Sequence, residues 1–222
     1  GSQNVGGEIT VKGRGFPAPS GIGASLSVTI VGNIAALGSA DATGSINGDD
    51  GIKYIIPTLS FGTRDVKISD TGTGFAAATA SGGISIDPKL TLTGGLQGTN
   101  GSSLSFSGTG FGVHDGSDDK VIKTDGTSGT GEDVSITLLK GGIVFAVDPS
   151  TATADSTTGA ISGSFTVPLS LFSTGEVTVQ AQGKITGAAA TTSFLFSRPS
   201  AEPELRAVKV VSSWSFIHTA AT

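Results

Sequence analysis

Six acidic side chains crowd into residues 112–133, GVHDGSDDKVIKTDGTSGTGED: Asp115, Asp118, Asp119, Asp125, Glu132 and Asp133, set against Lys120 and Lys123. Carboxylate oxygens on a Gly-rich loop are hard ligands of the kind calcium takes. Their spacing fits no EF-hand loop, and a solvated acidic loop is the commoner outcome of such a run. Calcium is the one cofactor the sequence admits. INGDDG at 46–51, with Asp49 and Asp50, is a weaker form of the same pattern. His114 and His218 are the two histidines, and neither has a nucleophile or metal-ligand partner in sequence, so each reads as a polar surface residue. No G-x-S-x-G elbow and no Walker A sequence occur, and GTGFAA at 72–77 mimics a dinucleotide loop without its βαβ context. The chain is not expected to be an enzyme. Asn100-Gly101-Ser102 satisfies the N-glycosylation pattern in a turn expected to be exposed, which would place a surface glycan there.

The elements that carry these residues must be strands. Of 222 residues, 35 are Gly, only 14% are charged, and β-branched residues recur in short runs with no helical period sustained over three turns. There is no Gly-X-Y period. A net charge of −5 argues against nucleic acid as partner, since that requires a basic stripe. Cysteine is absent, so there is no disulfide framework and no thiolate metal site. The longest strongly apolar run, IVFAV at 143–147, is too short for a membrane-spanning helix, and no signal-peptide pattern opens the chain.

The sequence contains two copies of one unit. GEITVKGRGF (7–16) matches SSLSFSGTGF (102–111), and LSVTIVG (26–32) matches VSITLLK (134–140). ADATGSI (40–46) matches TADSTTGAI (153–161), and YIIP (54–57) matches FTVP (165–168). Val66 and Ile68 then match Val177 and Val179 at the same offsets from the proline. Ordered matches at common spacing indicate duplication, not shared composition. Within each copy the period-two alternation predicts strands with one packed face, and the Gly-x-Gly-Phe corner predicts a sharp turn with Phe16 or Phe111 plugging the core.

The order of strand, G-x-G-F, strand, D-x-x-G, strand ending in V-P, strand resembles the immunoglobulin-like (IPT/TIG-like) repeats of bacterial and archaeal surface proteins. The resemblance covers roughly 7–86 and 88–198. It implies an all-β chain of two tandem immunoglobulin-like β-sandwiches at the cell surface, as in S-layers, adhesins and surface filaments. The expected division is 1–87, 88–198 with the acidic insertion 112–133, and a C-terminal extension 199–222.

The two copies differ at the front. Before Phe111 come an opening strand with Leu90 and Leu92, a turn, and the strand with Leu104 and Phe106. Before Phe16 there is room for little more than the second of these, with Ile9 and Val11. The first sandwich is therefore expected to lack its opening strand and to present Ile9 and Val11 as an acceptor groove. At the other end, RAVKVVSSWSFIHTAAT (206–222) alternates Val208, Val210, Trp214 and Phe216 on one face, with Ser212 the polar interruption. Donation of 206–218 into the next molecule would build a head-to-tail homopolymer, a pilus-like or thread-like extracellular filament held by donor-strand complementation. Three alternatives stay open. The tail folds onto its own second sandwich, or the opening strand belongs to a longer protein, or the chain is an adhesive or carbohydrate-binding accessory module or S-layer fragment of a larger extracellular protein.

Overall fold

A computed structural model describes residues 2–16, 23–31, 33–46, 51–71, 78–118 and 120–198, and these are all-β. The first repeat supplies β1 (Ser2–Asn4), β2 (Glu8–Val11), β3 (Gly13–Arg14), β4 (Ser25–Ile30), β5 (Asn33–Ser39), β6 (Ser45–Ile46), β7 (Ile52–Ile55), β8 (Gly62–Asp70) and β9 (Ala78–Asp87). The second supplies β10 (Lys89–Leu92), β11 (Gln97–Gly98), β12 (Ser103–Thr109), β13 (Val113–His114), β14 (Thr130–Gly131), β15 (Asp133–Lys140), β16 (Ile143–Thr153), β17 (Ile161–Thr166), β18 (Gly175–Gly183) and β19 (Ala189–Phe196).

Alternation in sequence becomes alternation in burial. In β12 the apolar Leu104 and Phe106 are buried while Ser103 and Ser105 face solvent, and β10 repeats this with Leu90 and Leu92. The strands of the second repeat run in the order β10-β12-β17-β16-β15-β18-β19-β11. The sheet doubles back at β16, which pairs with β15 along most of its length and with β17 at Asp148. One layer is then β10-β12-β17 and the other β15-β18-β19-β11, an immunoglobulin-type arrangement. Phe106, Phe165, Ile136, Val179 and Phe194 fill the space between them.

The first repeat follows the same plan. Its larger sheet runs β1-β9-β8-β4-β5, and the ribbons β2-β7 and β3-β6 form the facing layer. β1 lies parallel to β9 as β11 lies parallel to β19. Its hydrophobic cluster, from Ala24 to Ile86, shares no residue with the cluster from Leu90 to Phe196.

The two repeated motifs lock to each other. Phe16 N donates to Gly44 O at 2.9 Å, and Phe111 N donates to Gly159 O at 3.0 Å. Gly44 and Gly159 close the turns Asp41–Gly44 and Asp155–Gly159, the second one residue longer than D-x-x-G, at positive φ, 73° and 65°. A Cβ on either would strike the carbonyl oxygen of the corner phenylalanine, so only glycine fits.

Candidate strand-acceptor edge

Register makes the two repeats comparable residue by residue. Ile9 stands opposite Tyr54, as Leu104 stands opposite Phe165, and Gly13 stands opposite Ile46, as Gly108 stands opposite Ile161. In the second repeat β12 has neighbours on both sides: β17, and β10 with Leu92 opposite Phe106 and Leu90 opposite Gly108. In the first repeat β2 pairs with β7 alone among the described residues.

Burial follows the pairing. Leu104 and Phe106 are 3% and 4% exposed, and Phe111 is fully buried. Their counterparts Ile9, Val11 and Phe16 are only half-buried against their cluster, as is Val5. Beneath this open side, Tyr54 is buried and its hydroxyl has no hydrogen-bond partner among the described residues. Desolvation pushes that phenol up to about 12.

Among the described residues, no strand pairs with the outer edge of β2. Gly7 O accepts from Ile56 N at 2.9 Å, so odd-numbered residues of β2 turn their amides toward β7. Glu8, Thr10 and Lys12 turn theirs outward, in the sense of Ser105, whose O accepts from Thr93 N at 2.9 Å. Ile9 and Val11 thus lie together on β2, which pairs with β7 alone among the described residues. The donor residues Val208, Val210, Trp214 and Phe216 lie outside the described residues, with Asp49, Asp50, Asp119, His218 and the 72–77 loop.

In the acidic insertion the described carboxylates, other than Asp118, bond to groups of the chain itself. Asp115 accepts from Ser117 N and Oγ, which holds its carboxyl below the usual carboxylate range. Asp125 accepts from Thr127 N and Oγ1, with the same consequence, and lies 3.9 Å from Lys123. Asp133 pairs with Lys184 at 3.5 Å, and Asp118 is exposed. Glu132 is fully buried. It accepts from Gly112 N, Ile185 N, Thr186 N and Thr186 Oγ1, tying the insertion to the β18–β19 turn. Among the described residues no three His, Asp or Glu side chains gather at a metal-binding distance.

Two expectations of exposure need correction. His114 is buried, and its Nδ1 accepts from Gly116 N at 3.1 Å. Asn100 is half-buried, and its Nδ2 donates to Pro168 O at 2.9 Å and Leu171 O at 3.1 Å. The nitrogen that would carry a glycan already clamps the loop after β17.

Sequence reasoning passed over Arg64, which is 2% exposed at the junction of the repeats. Its guanidinium donates to Ser60 O, Ser60 Oγ, Phe61 O and Thr63 O. Burial pulls its pKa down, and Asp125 of the insertion pulls it up. A polar cavity of about 400 Å³ lies there, lined by Val31, Thr63, Arg64, Asp65, Thr124 and Asp125. The alternating parity of Arg64, Val66 and Ile68 was the available signal.

No protein-family model matches the chain, and no curated protein does. Among solved structures it is similar to the D00-D0 domain of intimin, at 11% identity over 78% of each chain with a TM-score of 0.34. It is also similar to Rst D1-D2, at 14% identity over 90% of this chain and 95% of that one, TM-score 0.27. Bovine butyrophilin follows at 11% identity, 88% and 94% coverage, and TM-score 0.30. So loose a likeness carries no inference about activity or partner.

Proposed function

We propose that this chain is a structural subunit of an extracellular or cell-surface filament, assembled head to tail. Residues 206–218 of one molecule enter the first repeat of the next, beside β2. In this reading 1–87 is an acceptor sandwich, 88–198 a self-complete sandwich, and 199–222 the donor extension. The observation that carries it is the one-sided pairing of β2, with half-buried Ile9 and Val11, where the second repeat has β10. An edge of this type, with a greasy face beside unpaired backbone, recruits a strand.

The tail has the matching chemistry. Val208, Val210, Trp214 and Phe216 share one alternating face. Burying each side chain contributes roughly 1.5–3 kcal/mol, set against about 1–2 kcal/mol per ordered residue of backbone entropy. Ladder hydrogen bonds along β2 add to the favourable side. A heterologous contact of this kind does not close on itself, so it propagates. Surface location rests on the resemblance of both repeats to immunoglobulin-like repeats of microbial surface proteins.

Electron microscopy and sedimentation of two forms test the proposal. The full chain forms fibres, and a chain ending at Pro199 stays monomeric under the same conditions. Fibres from the shortened chain would overturn the proposal. Isolated particles from the full chain, together with glycan-array binding, would favour the adhesive module instead.

A further inference from the structure

The geometry points to a definite source, direction and register for the strand that enters beside β2. It comes from a second copy of this chain, runs antiparallel to β2, and sets Val208 opposite Gly13 and Val210 opposite Val11. This rests on the donor-strand reading and adds to it.

Phe61 N donates to Phe111 O at 3.0 Å, so the corner end of the second repeat abuts the first. At that end β18 reaches Gln182 opposite Ala189, and at the other end Gly175 lies opposite Phe196. The chain therefore leaves the second repeat about 27 Å from the junction, the length of the nine-residue β18 at its rise per residue. In the first repeat β1 runs toward the junction, where Asn4 Nδ2 donates to Asp87 O and Pro88 O. β2 then runs away from it, and Gly13 lies about 17 Å farther out.

An antiparallel strand must therefore start at the outer end of the first repeat. For a molecule's own tail to do so, it would have to cover about 44 Å between Arg198 and Val208. Ten residues reach at most about 36 Å when fully extended. A second molecule's tail emerges from the outer end of its own second repeat and meets the outer end of this first repeat without any detour.

Direction and register follow from the second repeat, which fills the equivalent edge itself. β10 runs antiparallel to β12, with Leu90 opposite Gly108 and Leu92 opposite Phe106. Leu90-Thr91-Leu92-Thr93-Gly94-Gly95 finds its counterpart in Val208-Lys209-Val210-Val211-Ser212-Ser213: two apolar residues at one parity, then a pair of small ones. In that register Ser212 falls opposite Ile9, on the row of the unpartnered Tyr54 hydroxyl, and Trp214 falls opposite Gly7. One pair opposes the match. Lys209 meets Lys12 on the exposed face, and like charges directly opposite destabilise a ladder.

That pair makes the register testable. The chain has no cysteine, so Lys12→Cys with Lys209→Cys introduces the only thiols. Oxidation of assembled protein gives a ladder of covalent multimers on a non-reducing gel, and Lys12→Glu lowers the concentration needed to assemble by about two- to five-fold. A cross-linked monomer would overturn the second-copy source. Fibres that form without this cross-link, and without a response to Lys12→Glu, would overturn the register while leaving the donor-strand reading standing. Full chains that never assemble would remove both.

Discussion

Glu132 shows how a single residue can carry a burden its type conceals. In sequence it is one more acid in a loop that invites calcium. In the fold its carboxylate accepts from three backbone amides, those of Gly112, Ile185 and Thr186. Leaving buried donors unpaired costs about 1–3 kcal/mol each, and of these three Gly112 is buried while Ile185 and Thr186 are half-buried. Glu132→Ala therefore destabilises the second repeat by about 3 kcal/mol or more in urea melts, with or without calcium present. A loss well under 1 kcal/mol would show that the amides find other partners. Arg64 and Asn100 belong to the same class. Each is a polar side chain spent on backbone carbonyls, and residue type alone does not reveal that expenditure.

At the scale of elements, much was legible. Period-two alternation located β10, β12, β15 and β18, because one face of each packs and the other does not. The paired G-x-G-F corners and the Asp-to-Gly turns were visible as repeats, and the fold supplies their reason in the bonds from Phe16 to Gly44 and from Phe111 to Gly159. The strand before each corner was legible too, from the alternation of Ile9 with Val11 and of Leu104 with Phe106. The clamp at Asn100 and the latch at Arg64 were not, because both depend on which loop folds back over the side chain. The equivalent strands also make an energetic comparison. Leu104→Ala removes fully packed atoms and costs about 2–5 kcal/mol. Ile9→Ala, on a half-covered strand, costs roughly half as much in the unassembled chain, and it weakens assembly in addition. Equal losses at the two positions, measured on the chain ending at Pro199, would mean that β2 is as well covered as β12.

For the whole molecule, the two repeats are one plan executed twice, once with β10 and once without a counterpart among the described residues. That asymmetry gives the described chain a direction, with β2 paired on one side in the first repeat and β12 paired on both in the second. The central claim is that another molecule covers the outer edge of β2. Hydrogen exchange at Thr10 and Lys12 reads this edge directly, since their amides face outward. The account predicts rapid exchange in the chain ending at Pro199 and in unassembled full chain, with strong protection appearing only on assembly. Assembled fibres in which these two amides exchange as fast as in the shortened chain would contradict it.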